Sequence, residues 1–225
     1  MNVQVKNICK RYGKKTVLDG ASFEAESGER VGILGANGSG KSTLLSILAG
    51  IFPPQGGQFL IDGSDVLGKG AKRLQSAVGF VPQGTPLIEE LSARDNLLLW
   101  YTREQMDAEL RGGVLSLLGI DEFLRVPVRK MSGGMKKRLS IGCAVASRPS
   151  VLLMDEPTAA LDLVCKEQLN GYLDRFEAAG GITIATTHDA SEIDLCDRLY
   201  ILKGGKLEPY IHDGNTAKLT ELLLS

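Results

Sequence analysis

Short apolar runs recur along the chain, and glycine, proline or charged residues bound most of them. Near the start, Val3, Val5 and Ile8 alternate with polar residues, which is typical of a strand with one buried face. A turn signal at Tyr12-Gly13 follows. Further strands are indicated at 16–18, 21–26, 30–34, 58–61, 77–81, 151–154, 182–186 and 199–202. The pattern therefore predicts a β-rich start followed by separated buried strands.

Segments with helical spacing lie between these strands. Helices are expected at about 42–49, 92–125, 161–179 and 190–196. Two capping pairs support the second of these segments, because Ser92 is followed by Asp95, and Thr102 by Gln105. Strands that alternate with helices favour a parallel sheet covered by helices on both faces. The expected fold class is therefore α/β with a mainly parallel sheet.

The composition is that of an ordinary globular protein. The 225 residues are 43% hydrophobic and 24% charged, and the formal net charge is −1. This near-neutral charge gives no support for nucleic-acid binding through a strongly basic surface. No apolar run is long enough to span a bilayer, and the first six residues lack the apolar core of a signal peptide. The cysteines are scattered, which argues against a disulfide framework or a zinc site.

The stretch after the strand at 30–34 has the pattern G-x-x-x-x-G-K-[ST]. Its glycines allow a tight turn in which successive N–H groups point at phosphate oxygens. Lys41 brings a positive charge to the β- and γ-phosphates, and the Ser42 hydroxyl is a ligand for Mg²⁺. The N-terminus of the following helix adds its dipole. We expect the nucleotide to contact Gly35, Ala36, Asn37, Gly38, Ser39, Gly40, Lys41, Ser42 and Thr43.

Two adjacent acids, Asp155 and Glu156, end the apolar run at 151–154. Ligands of open parallel sheets bind at the carboxyl ends of strands, which is where both acids fall. Asp155 is suited to hold Mg²⁺, directly or through water. Glu156 is suited to orient or deprotonate a water that attacks the γ-phosphate. Alone, the pair is equally compatible with a solvated strand end, but with the phosphate loop it indicates the second half of a nucleotide site.

A third motif, Met131-Ser132-Gly133-Gly134-Met135, lies just upstream of the two acids. With the phosphate loop, it makes the chain resemble the ATP-binding subunits of ABC transporters from Val3 to about Leu207. The family commonly has L-S-G-G-Q here, so both methionines depart from the pattern. The resemblance implies a P-loop NTPase core with a mainly parallel sheet, an antiparallel β subdomain and an inserted helical subdomain at about 85–147. Residues 1–225 would form one ATP-binding domain.

Other residues match motifs of the family in the same order. Tyr12 matches the aromatic residue that stacks on adenine, although a surface tyrosine in a hairpin turn is the alternative. Asp162, within Ala160-Leu161-Asp162, matches the loop that crosses the dimer interface. His188 matches the histidine that contacts the γ-phosphate, and Gln83 the glutamine that senses Mg²⁺ and the attacking water. The resemblance thus implies catalytic roles for Gln83, Glu156 and His188, and Mg²⁺ ligation by Ser42, Gln83 and Asp155.

The third motif also has a physical reason. Ser132 and the amides of Gly133 and Gly134 can form an anion nest at a helix N-terminus. In the family, this nest binds the γ-phosphate of the ATP held by the opposite subunit, which implies a head-to-tail dimer with two equivalent sites. A Ser-Gly-Gly-Met form followed by basic residues resembles export-type members. Those basic residues are expected on a solvated helix face, and they are Lys136, Lys137 and Arg138.

The resemblance implies that the chain is the ATP-hydrolysing motor of an ABC transporter. A homodimer would close on ATP with Mg²⁺, reopen after hydrolysis and so drive a separate integral membrane subunit. The chain would then lie on the cytoplasmic face of the cell membrane, held there by its membrane partner. An apolar segment from 85 to 100, next to Gln83, is expected to form part of the groove that receives that partner, and inward packing in the core is the equal alternative.

Two alternatives belong to other functional classes. The first is a soluble ABC-type ATPase that acts on nucleic acid or the ribosome, but the chain has no coiled-coil arm, zinc module or second ATPase domain to support it. The second is a regulatory module that does not hydrolyse ATP. That module would be expected to lack Lys41, Glu156 or His188, and all three are present.

Overall fold

The computed structural model describes residues 1–159, 161–214, 219 and 222. The strands are β1 Asn2–Tyr12, β2 Lys15–Glu26, β3 Arg30–Leu34, β4 Gly56–Ile61, β5 Ser64–Asp65, β6 Val78–Val81, β7 Val151–Asp155, β8 Ile182–Thr186, β9 Arg198–Lys203 and β10 Lys206–Tyr210. The helices are α1 Lys41–Leu48, α2 Ala71–Ala77, α3 Ala93–Leu97, α4 Arg103–Leu110, α5 Val114–Leu117, α6 Gly133–Ala144, α7 Leu163–Ala178 and α8 Ala190–Ile193. Among these described residues, no helix combines the length and apolar character needed to cross a bilayer.

The N-terminal strands form an antiparallel sheet in the order β2-β1-β4-β5. A tight turn joins the first two strands and places Tyr12 opposite Lys15. Val3 and Val5 are buried while their neighbours are more exposed, because successive side chains of a strand point to opposite faces. The antiparallel β region expected at this end of the chain is therefore present, and it brings Tyr12 to the end of a strand.

The main sheet has the strand order β10-β9-β3-β8-β7-β6. Every neighbouring pair from β9 to β6 is parallel, whereas β10 pairs with β9 in the antiparallel sense. All residues of β3, β7 and β8 are buried, which explains why their sequences are largely apolar. The carboxyl ends of β3, β8, β7 and β6 therefore lie side by side along one edge of this sheet.

Several elements differ from the expectation. The sequence pattern does not predict α2 or β10, and β10 contains Pro209, which sheets tolerate on an edge strand. Helix α8 ends at Ile193 rather than near residue 196, because the amides of Leu195 and Cys196 bond carbonyls three residues back. The segment 92–125 divides into α3, α4, α5 and a short 3₁₀ helix, although both predicted N-caps are present.

Two hydrophobic clusters hold the elements together. One lies between the two sheets and α1, and includes Leu44 and Phe59. The other is surrounded by the helices from α3 to α7, and includes Leu97 and Leu139. Successive residues of β7 belong to different clusters. Leu152 belongs to the cluster among the helices, and Leu153 belongs to the cluster between the sheets. Strand β7 therefore serves both cores, so its position is fixed from both faces.

A buried ion pair fixes α7 against the start of β3. The Arg30 guanidinium donates from Nε and Nη2 to the two carboxylate oxygens of Glu177, at 2.9 and 2.8 Å, and from Nη2 to Asp174 at 3.0 Å. The Arg30 side chain is only 6% exposed, and that of Glu177 only 12%. A two-pronged bond of this kind also restricts orientation. Arg30 therefore fixes the position of the amino-terminal end of β3 against α7.

We expect Arg30→Met to lower the free energy of unfolding by about 3 kcal/mol, because it leaves a largely buried Glu177 carboxylate without its partner. Urea denaturation measures this loss. The matched control is Arg148→Met, which breaks an ion pair to Glu109 made by a side chain that is 81% exposed. That change should cost about 0.5 kcal/mol or less. Equal losses in the two variants would contradict the special role of Arg30.

Candidate active site

A cleft of about 640 Å³ lies at the carboxyl edge of the main sheet. Each of the four neighbouring parallel strands is followed by a segment that contributes to it: the phosphate loop after β3, Gln83 after β6, Glu156 after β7 and His188 after β8. Because these strands are parallel and adjacent, residues far apart in sequence meet at one edge. The lining residues are Tyr12, Lys15, Val17, Asn37, Gly38, Gly40, Lys41, Ser42, Thr43, Gln83, Glu156 and His188.

The phosphate loop needs its glycines for conformation and for space. Gly38 and Gly40 have φ values of 78° and 115°, in the left-handed region that other residues avoid. A Cβ at Gly40 would also lie 2.9 Å from Val17 Cγ1. Helix α1 begins directly afterwards at Lys41 and directs its N-terminus toward the cleft. A side chain at Gly40 would therefore disturb both the loop and the strand against which it packs.

Lys41 is buried at the base of this loop. Its Nζ donates to the carbonyl oxygens of Gly35 at 2.7 Å and Ala36 at 3.2 Å. Burial lowers the pKa of Lys41, and the nearby carboxylates of Glu156 and Asp155 oppose this shift. The ammonium is therefore held inside the loop by backbone carbonyls, next to the two acids that follow β7.

The two acids have different surroundings. Asp155 is buried, and the hydroxyl of Thr186 on β8 donates to its Oδ1 at 2.6 Å. Glu156 is partly exposed, and its carboxylate lies between two side chains. Gln83 Nε2 donates to Glu156 Oε2 at 2.8 Å, and His188 Nε2 lies 3.1 Å from Glu156 Oε1. Thus Asp155 is held within the protein, while Glu156 faces the cleft together with Gln83 and His188.

The backbone at Glu156 is unusual. Its φ is 49°, a conformation that a residue with a side chain adopts only when its surroundings impose it. The Glu156 N–H donates to the carbonyl and hydroxyl oxygens of Thr186, at 3.2 and 3.1 Å. Thr186 therefore contacts both acids. The sequence alone does not predict this role, because Thr186 looks like the ordinary last residue of an apolar strand.

The residues present fit a nucleotide with Mg²⁺. Ser42, Asp155 and Gln83 offer hydroxyl, carboxylate and amide oxygens, which are the ligands that Mg²⁺ prefers. The loop amides, the start of α1 and Lys41 together favour negatively charged phosphates. Gly35, Ala36 and Ser39 belong to the loop but do not line the cleft. The Ser39 hydroxyl is buried and has no hydrogen-bond partner among the residues that the structure describes.

Tyr12 lines the cleft at the end of β1, with 48% of its surface exposed. Lys10 Nζ lies 5.5 Å from the centre of its ring. Lys15 and Val17, on the strand that follows the hairpin turn, line the same cleft. Sequence reasoning missed these two residues, because nothing distinguishes them from other strand residues except their closeness to the turn.

Apart from Gly35, Ala36, Ser39 and Asp155, four predicted site residues also lie away from the cleft lining. Ser132 is the N-cap of α6, and its Oγ accepts a bond from the Met135 amide at 3.2 Å. Gly133 and Gly134 form the first turn of that helix. Asp162 is the N-cap of α7, and its bonds to the Cys165 amide lower the pKa of its carboxyl. Ala160 lies outside the described residues.

The expectation that the three basic residues after Ser132 lie on a solvated helix face is wrong for two of them. Lys137 is buried, and Arg138 donates to the carbonyl of Leu118 and lies over the Phe123 ring. The reason is that α6 packs within the second hydrophobic cluster, so only one side of its first turns is open to solvent. Lys136 remains on that side and pairs with Glu89 at 3.2 Å.

Sequence comparisons identify the family. The protein-family model described as "ABC transporter" matches residues 18–159 of this chain. The linearmycin resistance ATP-binding protein LnrL of Bacillus subtilis is 36% identical over 91% of this chain and 67% of its own length. The Nod factor export ATP-binding protein I of Sinorhizobium fredii is 37% identical over 91% of this chain, which spans only 61% of that protein. A probable sulfate/thiosulfate import ATP-binding protein CysA of Chlorella vulgaris is 33% identical over 98% of this chain and 94% of its own.

A structural comparison agrees. A dimeric ATP-binding cassette in a post-hydrolysis state with ADP and Pi has a TM-score of 0.82 and 29% identity, over 92% of this chain and 96% of that one. The expected P-loop NTPase fold is thereby confirmed. ATP-binding subunits of this family are ATPases that use ATP with Mg²⁺. The chain therefore belongs to the ABC transporter family, as one of its ATP-binding subunits.

Proposed function

We propose that this chain is the motor subunit of a membrane transporter, and that it hydrolyses ATP with Glu156 as the residue that activates water. One observation carries the assignment of that role. The Glu156 carboxylate lies in the same cleft as the phosphate loop, and Gln83 and His188 contact its two oxygens. A carboxylate at the mouth of a phosphate site is in the position that a general base requires.

In this proposal the phosphate loop holds the triphosphate and Lys41 offsets the charge of its β- and γ-phosphates. Ser42, Asp155 and Gln83 would hold Mg²⁺, which neutralises charge on the phosphates when bound. Tyr12 would provide a face on which adenine stacks, because its ring is half exposed at the rim of the cleft. Asn37, Thr43 and the other loop residues would contact the phosphates.

Glu156 would take the proton of the attacking water or orient that water, and its neighbours define where it points. Gln83 fixes one oxygen through an amide N–H, so the second oxygen, next to His188, is directed into the cleft. His188 would then contact the γ-phosphate from the end of β8. The reaction is therefore assigned to groups from three different strand ends.

We expect Glu156→Gln to keep ATP binding but to lower turnover by about 100-fold or more, because an amide cannot accept the proton of water. Phosphate release and binding of a fluorescent ATP analogue measure the two effects separately. The control is Glu208→Gln, on the edge strand β10 and away from the cleft lining, which should change neither. Normal turnover in Glu156→Gln would refute the assignment.

We further propose that two copies bind head to tail, so that Ser132, Gly133 and Gly134 of one subunit complete the site of the other. Two observations support this. These residues do not line the cleft of their own chain, and Ser132 and Gly133 are exposed at the start of α6. The related cassette with ADP and Pi is itself dimeric. Asp162, exposed at the start of α7, would lie at the same interface.

Mixing two inactive variants tests this arrangement. Ser132→Arg places bulk and charge in the nest, and Glu156→Gln removes the base. In a mixed dimer, one composite site then carries both changes and the other carries neither. We expect ATPase activity to reappear on mixing, up to about half of the wild-type value per mixed dimer, as for one intact site of two.

The matched control is a double variant, Ser132→Arg with Glu156→Gln, added in excess to the wild-type chain. A mixed dimer now has one change in each composite site, so we expect activity to fall. If each subunit instead used its own Ser132, the first mixture would stay inactive and the wild-type subunit of the second would remain active.

We propose that the membrane partner inserts a short helical segment into an apolar cleft of about 430 Å³ beside Gln83, and that this segment also covers the exposed Ile88, which follows Leu87 of the cleft lining. The cleft lies between the phosphate-loop core and the helices, and includes Ile51, Leu87 and Trp100. Exposed apolar surface of this kind marks an interaction site. Residues 85–147 would act as the helical subdomain of a single domain, 1–225. The chain would lie peripherally on the cytoplasmic face of the membrane through this contact.

We expect Ile88→Asp to abolish association with the membrane subunit while basal ATPase activity stays normal. Ile88 is 45% exposed, and its backbone N–H and C=O are bonded by the Asn96 side chain, which the substitution does not touch. The tagged chain is isolated from detergent-solubilised membranes of its own cells, and its integral membrane partner is identified by mass spectrometry. Ile211→Asp, at a side chain 90% exposed elsewhere, is the control. Retained association in Ile88→Asp would place the docking site elsewhere.

The comparisons favour the transporter over the soluble alternatives, because the relatives named above are resistance, export and import ATP-binding proteins. They include both directions of transport. The proposal therefore concerns the motor, whose parts are the same for either direction.

A further inference from the structure

Lys137 is a buried cation that the ATPase cycle described above does not use. Only 3% of its surface is exposed, although it lies on α6 only five residues after Ser132. Removing an ammonium from water is costly unless its donors are paired. The burial of Lys137 must therefore be explained by the groups to which its ammonium donates.

Those partners are two backbone carbonyls at the carboxyl edge of the main sheet. Lys137 Nζ donates to Pro82 O at 3.0 Å and to Asp155 O at 3.4 Å. The last residue pair in register between β6 and β7 is Val81 with Met154, so both carbonyls lie just beyond that ladder. A single side chain from α6 thus joins the ends of the two strands.

Each carbonyl directly precedes a residue assigned to the reaction. Pro82 precedes Gln83, and Asp155 precedes Glu156. The peptide group between Asp155 and Glu156 is bonded on both sides, since its C=O accepts from Lys137 and its N–H donates to Thr186. Those bonds hold Glu156 at its φ of 49°, which a residue with a side chain does not adopt readily.

We propose that Lys137 is a positioning residue for ATP hydrolysis, which links the helix that begins at Ser132 to the peptide groups that orient Gln83 and Glu156. It does not line the nucleotide cleft, so it acts through those two residues. A lysine suits this task because its long stem crosses from the helix and its ammonium donates to several acceptors at once. A shift of α6 on dimer closure would then change the direction of the Glu156 carboxylate. The proposal rests on the proposed role of Glu156.

Steady-state kinetics of the full chain tests it. We expect Lys137→Met, which has similar length but no donor, to lower kcat by about 10-fold or more, as for misplaced catalytic groups. The KM for ATP should stay within about twofold, because interactions that only orient the reacting groups affect kcat. Lys137→Arg retains the donors and should keep more than about one third of the wild-type kcat.

The matched control is Lys136→Met, at the neighbouring lysine, which is paired with Glu89 near the surface. It removes the same charge from the same helix and should leave both kcat and KM within about twofold of wild type. Melting temperatures of all variants show whether any loss of activity reflects unfolding. A general need for positive charge on α6 would instead lower kcat equally in the two methionine variants, and would overturn the proposal.

Failure of this proposal is distinguishable from failure of the proposed function. If the wild-type chain does not hydrolyse ATP, or if Glu156→Gln is fully active, the proposed function fails. If those two behave as expected but folded Lys137→Met keeps its kcat, or raises KM in proportion, the positioning role is refuted. If Lys137→Met does not fold, Lys137→Arg decides: a kcat above about one third of wild type supports the role, and a lower value refutes it.

Discussion

The parallel register of β3, β8, β7 and β6 is the constraint on which the rest of the structure depends. Because these four strands run in the same direction and are adjacent, the segments that follow them leave from one edge of the sheet. The phosphate loop, Gln83, Glu156 and His188 meet there, although more than 140 residues separate the first from the last. Burial of β3, β8 and β7 on both faces makes a register slip costly, and so the geometry of the cleft is built into the hydrophobic core.

Two buried cations hold opposite ends of this sheet. Arg30 binds carboxylates of α7 at the amino-terminal end of β3, where the interaction orders the core but touches no reacting group. Lys137 binds carbonyls at the carboxyl ends of β6 and β7, next to Gln83 and Glu156. Both side chains are cations that are removed from water and paired with oxygen atoms. The consequences of this pairing differ between the two ends of the sheet. At one end it contributes stability, and at the other it determines the direction of a carboxylate.

The fold was predictable where a local pattern has only one physical solution. Apolar runs that end in Gly35 or Asp155 are buried parallel strands, and the N-caps at Ser92 and Thr102 are local hydrogen-bond patterns. Expectations were weaker where tertiary contacts decide. The strand β10 depends on pairing with β9 rather than on its own sequence. Lys137 was misjudged because a lysine next to other basic residues looks solvated, and its buried acceptors lie on distant strands.

The predicted site divides in the structure into two groups. Residues that follow the parallel strands converge on one cleft, and their clustering is a consequence of topology. Ser132 and Asp162 cap α6 and α7, and neither lines that cleft. The roles proposed for them therefore depend on a second copy. Lys137 connects the groups within one chain, because the helix that begins at Ser132 is bonded to the peptide that orients Glu156. In the proposed function, in which two subunits close on ATP, such a connection would couple the interface to the proposed base, Glu156.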